Sequence, residues 1–141
     1  MTPVTDVRAQ RHPACVVCSP TCGHGLRVRF ELDDQDRAVG SFDCPPRFEG
    51  YPGLLHGGVT SALLDGAMTN WIFLHGQAAV TADLHVRFRH PVRVGIPATI
   101  RAWCEAQRGG VYRLAAELLQ GPQRCATASA TFMRRPDIPT P

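Results

Sequence analysis

The sequence contains no lysine: all 15 of its basic residues are arginine, and 12 acidic residues leave a formal net charge of +3. We interpret the bias as a property of GC-rich coding sequence, although arginine also binds phosphate through its bidentate guanidinium fork. Aromatic residues are few, and no long basic run has aromatic residues within it. The composition therefore disfavours nucleic acid as a partner and is compatible with a ligand that carries phosphate groups.

The sequence also lacks an apolar run near its N-terminus, so no secretory signal is expected. The stretch 54–76 is long enough to cross a bilayer, but Asp65 and Asn70 in its middle disfavour a membrane span. We expect a soluble cytoplasmic protein with no membrane partner. The length of 141 residues predicts a single domain, which we place over residues 15–135. We expect a flexible leader over residues 1–14 and, because the C-terminus is polar and rich in proline, an extended tail over 136–141.

The stretch 54–76, LLHGGVTSALLDGAMTNWIFLHG, is predicted to form one long helix around which the rest of the chain is organised. Apolar residues cover nearly every face of this helix, and a helix that is apolar all round is normally buried. One carboxylate, Asp65, lies in its middle. A lone acid in such a helix is costly unless it is paired, hydrated in a cleft or used in chemistry.

The predicted helix opens on a His-Gly-Gly turn, with no Ser, Thr, Asp or Asn just before Gly57 to cap its first amides. These N–H groups have no partner within the helix, and the helix dipole favours an electronegative ligand atom beside them. Gly57 and Gly58 carry no side chain that would hinder its approach. Asp65 follows Gly57 by eight residues, about 12 Å along the helix. Because both groups cannot reach one small atom, a second copy packed antiparallel is expected to complete the site.

Alternating apolar and polar residues predict strands on both sides of the helix. A hairpin of 26–32 and 38–44 precedes it, and four strands follow it, at 80–88, 98–107, 111–120 and 124–133. In the strand at 80–88, strict alternation places Thr81 on the opposite face from Leu84. The pattern predicts an α+β fold in which an antiparallel meander and a hairpin surround one buried helix.

Four potential metal ligands lie close together near the N-terminus: Cys15, Cys18, Cys22 and His24. They have the chemistry and roughly the spacing of a zinc site. A disulfide and a loop of reduced structural thiols are the alternatives, and we favour the reduced thiols. The six cysteines of an apparently intracellular chain do not imply a disulfide framework. We therefore expect no metal and no cofactor.

The run EGYPGLLHGGVTSALLDGAM, residues 49–68, resembles the hotdog-fold acyl-CoA thioesterases of the phenylacetate-pathway (PaaI-like) type. In that family an HGG turn opens the central helix and an acid follows eight residues after the first glycine, as Asp65 follows Gly57 here. The resemblance extends from about Cys15 to the end of the last strand. It includes the CxxC sequence and the segment TADLHVRFRHPVRVG, residues 81–95.

The resemblance implies a hotdog fold, an antiparallel sheet wrapped around the central helix, in a homodimer or homotetramer with sites at the subunit boundary. It implies hydrolysis of an acyl- or aryl-CoA thioester, with the Gly57 amide polarising the carbonyl. Asp65 of the partner subunit would activate water or act as the nucleophile, and His56 and Thr81 would assist. Candidate substrate-binding residues are Gly58, Tyr51, Met68, Arg89 and His90.

The sequence departs from the family pattern at Gly50. Related enzymes often carry an asparagine at this position, six residues before the histidine of the HGG turn. Its loss removes a polar group that would orient water. A non-catalytic module that binds an acyl-CoA or a related ligand is therefore the alternative function.

Overall fold

The apolar stretch that begins at the His-Gly-Gly turn forms helix α2, Gly57–Leu74. In the computed structural model, which describes residues 4–137, this helix contacts all six strands of a single antiparallel sheet. Five apolar side chains of the helix are completely buried: Leu63, Leu64, Ala67, Met68 and Ile72. The prediction of a buried helix surrounded by an antiparallel sheet is confirmed, and the hydrophobic core lies between the two.

The sheet has the strand order β1-β2-β4-β5-β6-β3. Its strands are β1 Glu31–Leu32, β2 Ala38–Phe42, β3 Val80–Phe88, β4 Ala98–Arg108, β5 Val111–Gln120 and β6 Gln123–Met133. The four strands after the helix do not form the predicted simple meander. Only β4, β5 and β6 follow one another, and β3 pairs with β6 at the far edge of the sheet.

The first predicted strand is mostly absent. Residues 26–30 are not in a strand, and β1 is reduced to two residues. The reason is a competing set of hydrogen bonds, because Leu26 and Val28 donate their backbone N–H groups to the carbonyls of Val16 and Val17. Arg27 between them has a φ of 55°, which breaks the extended conformation that a strand needs.

A β-bulge in β3 changes which side chains face the helix. Thr81 lies opposite Phe132 of β6, whereas Leu84 lies opposite Ala130, so one extra residue is inserted between Thr81 and Asp83. Phe132 and Ala130 are two residues apart and both buried, so they share the inner face. Thr81 therefore shares that inner face with Leu84, and the prediction of opposite faces is wrong.

Part of the N-terminal segment forms a helix. Helix α1, Val4–Arg11, packs against α2, and residues 1–3 lie outside the described range. The flexibility of residues 1–14 stays a prediction. Val17, just after α1, sits directly on Gly66 of α2, where an added Cβ would lie 2.5 Å from a Val17 methyl carbon. A glycine in the middle of α2 is thus explained by close packing.

The C-terminal end of α2 is tied to the turn between β1 and β2. The Trp71 indole N–H donates to the Asp36 carbonyl at 2.9 Å, and the His75 ring stacks on Trp71 and contacts the Asp36 carboxylate at 2.8 Å. Within residues 4–137, no helix has the length and apolar character that crossing a bilayer requires. Of the predicted tail, residues 138–141 lie outside the described range.

Substituting Gly66 with alanine is expected to destabilise the protein. The new methyl group would overlap Val17, and overpacking of this kind costs about 1–3 kcal/mol, only partly offset by the better helix propensity of alanine, about 1 kcal/mol. In a Val17→Ala background the closest overlap disappears and only a 3.2 Å contact with the Val17 Cβ position remains, so Gly66→Ala should lower the free energy of unfolding clearly less there. Chemical denaturation of the wild type, the two single variants and the double variant measures these free energies. An equal loss in both backgrounds would refute the packing argument.

Candidate functional site

The mouth of α2 is capped by a histidine. His56 is the N-cap residue, and its Nδ1 accepts the Gly58 N–H at 2.8 Å. This corrects the expectation that nothing caps the helix, and it removes Gly58 as a free donor. Because Nδ1 of the neutral ring accepts this bond, the ring proton is assigned to Nε2, which remains a donor. Among residues 4–137, nothing accepts the N–H of Gly57.

A cavity of about 680 Å³ opens at this helix mouth. Five of the predicted site residues line it: Tyr51, His56, Gly57, Arg89 and His90. The sequence places them in three separate segments. The structure brings the residues before the helix next to residues 88–92 because Leu55 donates its N–H to the Val92 carbonyl at 2.8 Å. Arg89 and His90 are held in place by donating their backbone N–H groups to the Cys125 carbonyl of β6.

The cavity also contains residues that sequence reasoning did not assign to the site. Phe88 lies 3.5 Å from the position that a Cβ on Gly57 would occupy, and its side chain is 56% exposed. Thr60 and Val92 line the same space. The position of Phe88 at the end of the apolar face of the predicted strand was the available signal, but alternation alone does not show which strand end adjoins the helix mouth.

Asp65 lies away from this cavity and is paired with Thr81. The Thr81 hydroxyl donates to the Asp65 carboxylate at 2.6 Å, across sixteen residues of sequence. The β3 bulge makes this contact possible, because it turns Thr81 toward the helix. Burial raises the pKa of the Asp65 carboxyl above its usual range, and the hydrogen bond from Thr81 opposes that rise. A carboxylate whose pKa is raised accepts a proton more readily than one with the usual pKa.

The structure does not bring all predicted residues together. Met68 is completely buried in the core and does not line the cavity, so its position gives no support to a role in substrate binding. The zinc alternative weighed for Cys15, Cys18, Cys22 and His24 does not assemble as one four-ligand set among the described residues. Cys22 pairs with His24, with 3.6 Å between its Sγ and the imidazole Nε2.

A different histidine joins the first two cysteines. One potential ligand atom from each of His12, Cys15 and Cys18 lies within 4.8 Å of the others. Sequence reasoning overlooked His12 because it assigned residues 1–14 to a leader, although the spacing of three between His12, Cys15 and Cys18 was visible. All six cysteines are free thiols.

A model of the thioesterase superfamily matches residues 52–127, more than half of the chain. The matched range contains the helix mouth, the cavity lining except Gly50 and Tyr51, and the Asp65–Thr81 pair. The chain belongs to the thioesterase superfamily. Its membership agrees with the resemblance of the HGG helix motif to hotdog-fold thioesterases.

Two curated relatives are acyl-coenzyme A thioesterases. The chain is 38% identical over 65 residues to acyl-coenzyme A thioesterase THEM4 of Bos taurus, which covers 46% of this chain and 26% of that protein. It is 32% identical over 73 residues to acyl-coenzyme A thioesterase THEM5 of Mus musculus, which covers 52% of this chain and 29% of that protein. The chain thus spans less than a third of the length of either relative.

Solved structures of superfamily members share the fold. A thioesterase superfamily protein superposes with a TM-score of 0.80 at 25% identity, covering 87% of this chain and 63% of that chain. The E. coli PaaI protein from the phenylacetic acid degradation operon superposes with a TM-score of 0.72 at 22% identity, covering 77% of this chain and 84% of that chain. The smu.793 protein of Streptococcus mutans, solved bound to acetyl-CoA, superposes with a TM-score of 0.69 at 18% identity, covering 75% of this chain and 86% of that chain. The predicted hotdog fold is confirmed.

Replacing Thr81 with valine is expected to raise the pKa of Asp65 further. The variant removes the hydroxyl that stabilises the charged carboxylate and leaves burial, which favours the neutral acid. The Thr81→Ser control keeps a donor and should leave the pKa near that of the wild type. Carboxyl ¹³C NMR titration measures this, with Asp65→Asn assigning the resonance. An unchanged or lower pKa in the valine variant would contradict the contact.

Proposed function

We propose that this chain hydrolyses the thioester of an acyl- or aryl-CoA. The observation that carries the proposal is that one buried helix presents both a free backbone donor and a carboxyl group. The Gly57 N–H is a free donor facing a large cavity, and Asp65 is a half-buried carboxyl with a raised pKa. A donor for an oxyanion and a base for water are the two groups that acyl transfer to water requires.

The proposed reaction places the thioester carbonyl oxygen on the Gly57 N–H. Negative charge grows on that oxygen as the carbonyl carbon is attacked, and one such donor stabilises the charge by about 3 kcal/mol. Asp65 either takes the proton from the attacking water or attacks the carbon itself and is released by water. The C–S bond breaks, the sulfur of coenzyme A receives a proton, and the acyl group leaves as a carboxylic acid.

The site requires two subunits, because Gly57 and Asp65 of one chain are about 12 Å apart along α2. Strand β3 carries one part of the site at each end. Thr81, which binds Asp65, is near its start, and Phe88, which adjoins Gly57, is its last residue. Two β3 strands paired antiparallel would place the start of one beside the end of the other. Asp65 of the partner subunit would then face Gly57, and both copies of α2 would lie on the same face of a continuous sheet.

Strand β3 has the features of an edge that pairs in this way. It is nine residues long and hydrogen-bonds to β6 alone among the strands of residues 4–137. Long unpaired edges are normally shielded, because they attract another strand. Phe88 is exposed there although an apolar ring favours burial. A homodimer, alone or within a homotetramer, would cover this edge.

Coenzyme A is the proposed carrier of the acyl group. Arg89 and His90 stand exposed at the cavity, and a guanidinium and an imidazole can bind phosphate oxygens. The Streptococcus mutans neighbour bound to acetyl-CoA supports this assignment. Apolar side chains of Leu54, Leu55 and Val92 line the same cavity and would contact the acyl or aryl part, with Tyr51, 81% exposed, at its rim. A cytoplasmic location stays a prediction.

The second candidate is a module that binds an acyl-CoA or related ligand without hydrolysing it. Gly50 favours this alternative. It lines the cavity beside His56, and a Cβ there would lie 3.3 Å from the His56 ring. The asparagine that related enzymes often carry would therefore place its amide next to His56, and this chain has no such group at that position.

The Asp65→Asn variant tests catalysis. We expect the wild type to release thiol from at least one member of a panel of short, medium, long-chain and aryl-CoA thioesters. The variant should lose on the order of a hundredfold in kcat, because the amide cannot accept a proton or form an acyl intermediate. Thiol release measures the rate, and calorimetry with a thioether analogue of the same acyl-CoA measures binding, which should persist.

The matched control is Asp34→Asn, which removes one exposed carboxylate from the turn between β1 and β2 and should leave kcat unchanged. If Asp65→Asn keeps the wild-type rate, Asp65 is not the catalytic acid. If neither protein hydrolyses any thioester but both bind the analogue, the chain is the binding module.

Gly57→Pro isolates the amide donor. Proline fits the first position of a helix, and His56 already has the ψ of 135° that a residue before proline adopts. The new ring therefore removes the N–H while the helix is kept. We expect kcat to fall about 100- to 1000-fold. The Gly57→Ala variant keeps the N–H, and its Cβ would lie 3.5 Å from the Phe88 ring. Its kcat should fall far less than that of Gly57→Pro. Equal activity of the two variants, with equal Tm, would exclude the amide as the oxyanion donor.

A further inference from the structure

Three side chains outside the proposed catalytic site form a compact set of metal-binding groups, His12, Cys15 and Cys18. Their ligand atoms all lie within 4.8 Å of one another. They lie in the segment that directly follows α1, and the proposed thioesterase chemistry uses none of them. Two sulfur atoms and one imidazole nitrogen are the donors that Zn²⁺ prefers.

The spacing of these atoms suits a tetrahedral ion. Zn–S bonds of about 2.3 Å and Zn–N bonds of about 2.0–2.1 Å imply a sulfur–nitrogen separation of roughly 3.6 Å at the tetrahedral angle. The Cys18 Sγ lies 3.8 Å from the His12 Nδ1. Only a small adjustment would bring both atoms onto one ion. Cysteines three residues apart are a frequent pair of zinc ligands.

The surroundings of Cys15 are those of a sulfur that carries negative charge. The backbone N–H groups of Val17 and Cys18 both point at its Sγ, at 3.3 and 3.4 Å. Hydrogen bonds of this kind orient and stabilise a thiolate ligand. The Arg8 guanidinium lies 3.9 Å from the Cys18 Sγ and also donates to the carbonyl of His12. It therefore holds the end of α1 against residues 15–18, here called the cysteine turn, and adds a positive charge beside the Cys18 sulfur.

The segment that carries the cluster is held on α2. Val17 is packed on Gly66, and the His12 ring meets the Phe73 ring edge-on at 4.8 Å. Ser19, completely buried, donates its hydroxyl to the Pro13 carbonyl at 2.9 Å and closes the loop between them. The three ligands are thus positioned by packing and hydrogen bonds before any ion binds, which lowers the ordering cost of binding.

We propose that His12, Cys15 and Cys18 bind one Zn²⁺ ion through the His12 imidazole and two thiolates, with a water molecule as the fourth ligand. The ion links α1 to the turn that covers Gly66, one residue from Asp65. Cys22 and His24 stand outside the site. The proposal does not depend on thioester hydrolysis, because its ligands and the Gly57–Asp65 pair share no residue.

The experiment uses the reduced protein of 141 residues, freed of metal by a chelator and titrated with Zn²⁺ against a chromophoric competitor. We expect one equivalent to bind and Tm to rise with Zn²⁺ but not with Mg²⁺. The His12→Ala and Cys15→Ser variants should lose at least a hundredfold in affinity. Cys22→Ser and His24→Ala are the matched controls, since they remove the same donor types nearby, and they should bind as the wild type does.

Cobalt replaces zinc for a spectroscopic reading. Co²⁺ should give thiolate charge-transfer absorption and the intense visible bands of a tetrahedral site, and Cys15→Ser should weaken the charge-transfer band. This reading does not require activity or a change in stability. No binding of Zn²⁺ by the wild type would overturn the proposal. Loss of binding in Cys22→Ser or His24→Ala would overturn the three-residue ligand set.

Discussion

The burial of α2 against every strand of the sheet is the constraint on which the rest of the structure depends. A helix that is apolar on nearly all faces must be covered, and the sheet curves around it to do so. Burial of this extent leaves few places where a polar group on the helix can remain. The buried Thr69 and Asn70 donate to backbone carbonyls one turn earlier in the helix. The Gly57 amide at the helix mouth instead lines a cavity, and the Asp65 carboxyl in the middle of the helix accepts from Thr81 of β3.

The sequence was sufficient to predict the features that repeat with a fixed period. The central helix, its burial and the strand β3 at Val80–Phe88 follow from apolar spacing alone. The contact between Thr81 and Asp65 did not follow from it, because strict alternation turns Thr81 away from the helix. A single bulge reverses that orientation, and bulges leave no periodic signal. The likeness to a known family indicated Thr81 where the physical pattern did not.

Local hydrogen bonds account for two further wrong predictions, the uncapped helix mouth and the strand at residues 26–30. The His56 cap was missed because histidine is not among the common N-cap residues, yet its Nδ1 reaches the Gly58 amide in the geometry that serine or aspartate would use. Leu26 and Val28 alternate correctly for a strand but hydrogen-bond to the cysteine turn. In both cases a nearby partner competes with regular secondary structure, and composition does not reveal which partner wins.

The two faces of α2 divide the molecule's chemistry. One side is covered by the sheet and ends at the cavity, and the other is covered by α1 and the cysteine turn, which requires a glycine at position 66 for close approach. Asp65 and Gly66 are adjacent, so the Asp65 carboxyl lies between the side of α2 that the sheet covers and the side that the N-terminal segment covers. Burial is the main cause of the raised pKa of Asp65, and two residues of the N-terminal segment also act on that pKa electrostatically: Cys15 raises it and His12 lowers it. The N-terminal segment is therefore part of the environment that sets the pKa of Asp65, with or without a bound ion.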